Sequence, residues 1–183
     1  MVIQNDPDAG DLSGAAQRVQ VIVLTGFMGT GKSTVGQAVA ARLGWRFVDS
    51  DAEIVARAGL SIPEIFAQQG EPAFRRIEHE VVCALVDGQQ LVIATGGGAL
   101  MGDETRIYVL AHALVICLTA SPEAIEARVA GDTERPLLKG DWRALLERRR
   151  PVYASFAHQM DTTSRATEEL AEEVLALWQN ASI

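Results

Sequence analysis

The chain has 183 residues, 48% of them hydrophobic, and its 16 basic against 24 acidic residues leave a formal net charge of −8 and a pI near 4.9. That length suits one domain with a substantial core and excludes a disordered chain, while the acidic balance argues against nucleic acid or an anionic membrane surface as the main partner. The longest nearly uncharged apolar run, Tyr108 to Leu118, is interrupted by His112 and falls far short of the roughly 20 residues that a bilayer span needs.

Residues 1–18 lack the positive start and apolar run of a secretory signal and are too acidic for a transit peptide, so a short disordered tail is expected there, followed by a single domain over 19–183. Cys83 and Cys117 have neither metal-ligand nor CxxC spacing and sit in apolar runs; buried reduced thiols in a cytoplasmic protein are expected. Only Lys32 and Lys139 among the basic residues are lysine, and the remainder are arginines, whose planar forks suit carboxylate and phosphate.

The first strand-like run, Val21–Leu24, leads into Gly26-Phe27-Met28-Gly29-Thr30-Gly31-Lys32-Ser33, and a helix is expected over Ser33–Leu43. This is the GxxxxGK[ST] pattern in the strand-to-helix setting that a phosphate loop requires. Glycines let successive N–H groups converge on phosphate oxygens, and the helix start adds its positive dipole end. Nucleotide contacts are therefore expected at Gly29, Thr30, Gly31, Lys32, Ser33 and Thr34. Lys32 would carry its charge to the β- and γ-phosphates, and the Ser33 hydroxyl would offer a hard oxygen to Mg²⁺.

The second strand, Arg46–Val48, ends in Asp49-Ser50-Asp51 at the edge where a parallel sheet binds ligands. Asp49 would order the Mg²⁺ shell and Asp51 would accept a hydrogen bond from a hydroxyl attacking the γ-phosphate; alternatively Asp51 caps a helix over Ala52–Ala58. Helices are expected next over Pro63–Gln69 and Pro72–Val86, with Gly70 between them. Glu71 and Glu78 lie four before and three after Arg75, either as a solvated ion-pair network or as carboxylates aiming the Arg75 fork at an anion.

Leu91–Ala94 reads as a buried strand running through Thr95 into Gly96-Gly97-Gly98, either a hinge or a place where a ligand meets exposed backbone amides. A helix over Asp103–Ala111, a strand over Leu114–Leu118 and a helix over Pro122–Ala130, capped by Ser121 with proline at its first position, come next. The polar stretch from Gly131 to Asp141 is either a mobile lid or an ordinary surface loop. A helix over Trp142–Phe156 carries Arg148-Arg149-Arg150-Pro151-Val152-Tyr153, a solvated face or an anion clamp, and a weak strand near Gln159–Met160 precedes a helix over Thr167–Trp178. Mostly continuous apolar strands alternating with helices predict a doubly wound α/β fold with right-handed crossovers. His79, His112 and His158 have neither metal spacing nor a nucleophile beside them, and no role is expected of them.

Six ordered motifs, GFMGTGKS at 26–33, FVDSD at 47–51, GEPAFRRIE at 70–78, ATGGG at 94–98, TERPLL at 133–138 and RRRPVY at 148–153, resemble those of the shikimate kinase family, with the similarity running from about Val21 to Trp178. The resemblance implies a P-loop, nucleoside-monophosphate-kinase-like α/β fold of three layers: a five-stranded parallel sheet in order 2-3-1-4-5, helices on both faces, and a mobile lid at about 131–141. It further implies that Asp51, Arg75, Gly97 and Arg149 bind shikimate. Arg135 would come down from the lid onto the nucleotide phosphates, and Arg128 and Arg165 would flank the adenine. Lys32, Asp51 and Arg135 are then the expected catalytic residues, with Ser33 and Asp49 at Mg²⁺.

The implied activity is ATP-dependent phosphorylation of the 3-hydroxyl of shikimate on the way to aromatic amino acids. ATP and shikimate are the expected partners of a monomer, with neither nucleic acid nor membrane. Shikimate's one carboxylate suits two bidentate arginines, and its hydroxyls suit Asp51. Two alternatives are a gluconate kinase-like enzyme, although the FRxxE, GGG and RRRPVY motifs resemble shikimate kinases rather than gluconate kinases, and a non-catalytic nucleotide-binding module, against which intact Lys32, Ser33, Asp51 and Arg135 argue.

Overall fold

The computed structural model describes residues 19–130 and 141–181. Among them, five strands alternate with seven helices: β1 (Val21–Gly26), α1 (Lys32–Leu43), β2 (Arg46–Asp49), α2 (Ser50–Ala58), α3 (Ile62–Val86), β3 (Leu91–Ala94), α4 (Asp103–His112), β4 (Leu114–Thr119), α5 (Pro122–Val129), α6 (Trp142–Ala154), β5 (His158–Asp161) and α7 (Thr167–Gln179). All four strand pairings are parallel and the order is β2-β3-β1-β4-β5, as the resemblance implied. Each parallel step needs a crossover, and the alternating helices supply it.

Continuous apolar strands work because successive side chains point to opposite faces, and both faces are covered. Val21, Val23, Ile93, Val115 and Cys117 pack with Val82 and Val86 of α3, Val109 of α4, Ile125 of α5 and Tyr153 of α6. Ile22, Leu24, Val92, Leu114 and Ile116 pack on the other side with Val35 and Val39 of α1 and Leu170 and Val174 of α7. Trp45 and Trp178 meet edge-on at 5.3 Å in that second layer, where the Trp178 indole donates to the Val19 carbonyl at 2.8 Å. Trp142 lies in the first layer, 6.2 Å from Phe27. A third, smaller cluster of Ile54, Ile65, Phe74 and Val81 joins α2 to α3.

The two helices expected over Pro63–Gln69 and Pro72–Val86 are the two arms of α3. Gly70 (φ 80°, ψ 172°) breaks it, two residues before Pro72, whose ring has no N–H to donate. Ser61 and Glu64 close the first arm with a capping box, which the spacing S-x-x-E encodes. Ser121 caps α5 as expected, accepting from the Ala124 amide at 3.2 Å. The cap of α2 is Asp49 rather than Asp51: the Asp49 carboxylate accepts from the Asp51 amide at 3.0 Å, which leaves the Asp51 side chain in the first turn.

Parallel pairing puts the carboxyl ends of β1, β2 and β3 at one edge, where Asp49 and Leu24 both pair with Ala94. The order inserts β3 between β2 and β1. Thr95 to Gly98 therefore emerge between the Asp49–Asp51 turn and the loop after β1, in the crevice where open α/β sheets bind ligands.

Candidate active site

The loop after β1 wraps around the start of α1. Gly26 (φ 131°) lies so close to β4 that a Cβ there would collide with the Leu118 carbonyl oxygen. Gly31 (φ 89°) is the N-cap residue of α1 and brings no side-chain cap, so the first amides of the helix are left for an external anion. Thr30 is buried and its hydroxyl donates to the Phe27 carbonyl at 2.8 Å, bracing the loop from within. Lys32 Nζ donates to the Gly26 and Phe27 carbonyls at 2.9 and 2.8 Å, folding the ammonium over the loop. Ser33 and Thr34 are exposed at the helix start.

Ser33 Oγ donates to Asp49 Oδ2 at 3.3 Å, so the hydroxyl and carboxylate expected at Mg²⁺ are neighbours. Two hard oxygens beside a phosphate loop fit a cation that takes one or two protein ligands and completes its octahedron with phosphates and water. Among the described residues no group of three or more His, Cys, Asp or Glu side chains could hold a metal on its own.

The glycine triplet brings the remaining elements together. A Cβ on Gly96 would stand 2.5 Å from Asp51 Oδ1, and one on Gly98 would stand 2.8 Å from Arg75 Nη1 and 3.2 Å from Arg149 Nη2. A Cβ on Gly97 would lie 3.4 Å from the Gly26 carbonyl, so the triplet also touches the phosphate loop. A Cβ at Gly96 or Gly98 would thus push the Asp51, Arg75 or Arg149 side-chain ends aside, whereas one at Gly97 would meet only ordinary contact distances. Buried Ser50, to which the sequence reading gave no role, fixes the triplet's start by accepting from the Gly96 amide at 3.0 Å.

Arg75 has its fork gripped on two sides. Nη1 donates to Glu78 Oε2 at 2.7 Å, while Nε and Nη2 donate to Glu71 Oε1 at 3.3 and 3.1 Å. Glu78 is only 4% exposed, which distinguishes this pair from a solvated network. Burial raises the Glu78 carboxyl above its ordinary value, and Arg75 pulls it back without overcoming that effect. Partial burial works against the charge of Arg75, yet Glu78 and Glu71 outweigh it and hold the guanidinium above its ordinary value. The pair is thus uneven, with the cost of desolvation falling on the carboxylate. Arg75, Glu78, Gly98, Arg148 and Arg149 line a cleft of about 560 Å³ that also has apolar walls from Met101, Leu145 and Val152. Tyr153, another residue without an expected role, donates to the Gly97 carbonyl at 2.7 Å.

On the far side of the phosphate loop, Arg128 donates to the Gly29 carbonyl and the Thr162 hydroxyl at 3.1 and 3.0 Å, and to the Thr162 and Thr163 carbonyls. Thr162 Oγ1 in turn stands 2.9 Å from the Thr30 carbonyl. Arg165 follows this turn and pairs with Glu169 and Glu173 of α7 at 2.9 and 2.7 Å. Arg135 and the stretch expected to form a lid lie outside the described residues, Asp141 apart.

The family model for shikimate kinase matches residues 28–179 of this chain. The shikimate kinase of Geobacter sulfurreducens is 47% identical over 158 residues, covering 84% of this chain and 87% of that one. The structure of shikimate kinase from Acinetobacter baumannii in complex with shikimate superposes with a TM-score of 0.82 at 36% identity, covering 88% of this chain and 94% of that one. A gluconokinase from Sinorhizobium meliloti reaches a TM-score of 0.53 at 18% identity over 90% of this chain and 94% of that one, a likeness of fold alone.

Proposed function

The chain belongs to the shikimate kinase family and is an ATP-dependent kinase, and from this premise we propose how its residues divide the transfer of the γ-phosphoryl group to the 3-hydroxyl of shikimate. The triphosphate lies along Gly29 to Thr34 with its oxygens on the open amides at the start of α1. Lys32 exchanges the Gly26 and Phe27 carbonyls for β- and γ-phosphate oxygens. Ser33 and Asp49 would hold Mg²⁺, which when bound would supply neutralisation of the phosphate charge.

The acceptor occupies the cleft with its carboxylate between the Arg75 and Arg149 forks and its ring hydroxyls toward Asp51 and the Gly97 amide. Asp51 orients the attacking hydroxyl and takes its proton. A loose transition state asks mainly for positioning and charge neutralisation, which Lys32 and Arg135 provide. Arg128 and Arg165 flank the adenine, where the face of the Arg128 guanidinium can pack on the base while its N–H groups keep their carbonyl partners. The enzyme works as a monomer in the cytoplasm, a setting supported by the free thiols of Cys83 and Cys117.

One observation carries this reading: the glycine triplet lets a carboxylate on one side and two guanidinium forks on the other approach the same three residues beside the phosphate loop. A hydroxylated carboxylate is the acceptor with both complements. Coupled ADP-release assays with shikimate, with gluconate and with no acceptor test it. Turnover is expected with shikimate alone, and equal or greater turnover with gluconate overturns it.

A further inference from the structure

The three carbonyls of the glycine triplet are held in two different ways. Those of Gly96 and Gly98 accept from the Ala99 and Met101 amides, both at 3.1 Å, as local turns do. The Gly97 carbonyl has a partner from a distant element, the hydroxyl of Tyr153 on α6. Its peptide joins two residues without Cβ atoms, so rotating it as a unit meets little steric resistance. Tyr153 lies four residues after Arg149, which puts both side chains on one face of α6. Its ring is buried with Phe27, Trp142 and Phe156, and burial pushes the phenol up to about 12, so it remains an O–H donor across the working range of an enzyme.

We propose that Tyr153 is a positioning residue for the acceptor: by holding the Gly97 carbonyl, it fixes the plane of the Gly97–Gly98 peptide beside the Arg75 and Arg149 forks. A trans peptide points its N–H away from its carbonyl, so the same hydrogen bond sets the direction of the Gly98 amide. One helix thus supplies both a fork, Arg149, and the brace that orients the backbone next to it. The inference rests on the cleft being the shikimate site.

Tyr153→Phe keeps the ring and its packing and removes the hydroxyl, and with it both the donor to Gly97 and a contact to the Arg149 guanidinium, so the exchange of the Gly98 amide is the readout specific to the brace. The expected result is a rise of about fivefold in the shikimate KM, the size of one net hydrogen bond, with the ATP KM within about twofold of wild type. Faster exchange of the Gly98 amide should accompany it. Phe156→Leu loosens the same core without touching the triplet and should lower Tm while leaving the shikimate KM unchanged. If Phe156→Leu raises that KM as much as Tyr153→Phe does, general loosening explains the effect and the positioning role is overturned. A wild-type shikimate KM in Tyr153→Phe overturns it as well, while the assignment of the cleft stands. Failure of the wild-type enzyme to phosphorylate shikimate removes that assignment and the inference together.

Discussion

At Arg149 the sequence left two possibilities, solvated face or anion clamp, and the proposed function rests on the second. The Arg149 guanidinium faces Gly97 and Gly98 across from Arg75, and a point ammonium there cannot make two parallel bonds to a carboxylate. Arg149→Lys should therefore lower kcat/KM for shikimate by at least about tenfold, or ~1.4 kcal/mol, as steady-state kinetics would show. Asp49 and Asp51 divide differently. Asp51→Asn should keep nucleotide affinity, measured by calorimetry, and lose most shikimate-dependent turnover, because an amide is a far weaker proton acceptor. Asp49→Asn should instead raise the Mg²⁺ concentration needed for half-maximal activity; the opposite pattern reverses the two roles. Glu78 carries a pH signature. Because its folded pKa is raised, the folded chain holds this proton more tightly than the unfolded one, so its contribution to stability is full below about 4.3 and is lost as pH rises through the folded value. Glu78→Gln lacks that loss, so its Tm relative to wild type should increase as pH rises from 4, and a difference that shrinks reverses the sign. The motif spacing made Arg75 and its two glutamates legible. It could not show that Glu78 is buried and Glu71 exposed, since that depends on packing across elements. Ser50 and Tyr153 act through single bonds to distant backbone, which leave no periodic trace.

The helix that carries Arg75 shows how local sequence sets the aim of the site. Gly70 stands at φ 80°, ψ 172°, a region closed to side chains, and nothing but Pro72 Cδ at 3.7 Å would crowd an added Cβ. Gly70→Ala thus isolates backbone strain from packing. It should cost about 1–3 kcal/mol, lowering Tm by roughly 2–4 °C per kcal/mol for a chain of this size. A Tm within one degree of wild type would mean that the arms of α3 can be straightened freely. Glycine and proline signals made both arms readable, as the local Ser121-Pro122 signal did for the cap of α5, while the Ser61–Glu64 box went unread. The start of α2 was less so. Two aspartates two residues apart are equal candidates for a cap by composition, and the choice of Asp49 follows from where β2 ends against β3, a property of the sheet.

Across the molecule, the two ligand sites rest on unequal foundations. The phosphate loop grows from β1 at the centre of the sheet, between the two main layers of core. The acceptor side is borne in part by α2 and α3, whose own cluster has Ile54, Ile65, Phe74 and Val81 as its buried members. Local opening follows the amount of apolar packing, so amides of α2 and of 62–69 should exchange with solvent faster than those of β1, β3 and β4, and a bound acceptor should slow them. Uniform protection would contradict that division. β1, β3, β4 and the doubly wound class were written in the apolar runs, while β2 and β5, with the polar sequences RFVD and HQMD, were fainter; the strand order came from family resemblance, because periodicity does not say which strands are neighbours. The same layering sorts the chain's three tryptophans. Trp142 sits 6.2 Å from Phe27 of the phosphate loop, on the face opposite to the edge-on Trp45–Trp178 pair. The protein's own ultraviolet emission therefore arises from two separate environments, one beside the nucleotide loop and one that reports only whether the far layer is folded.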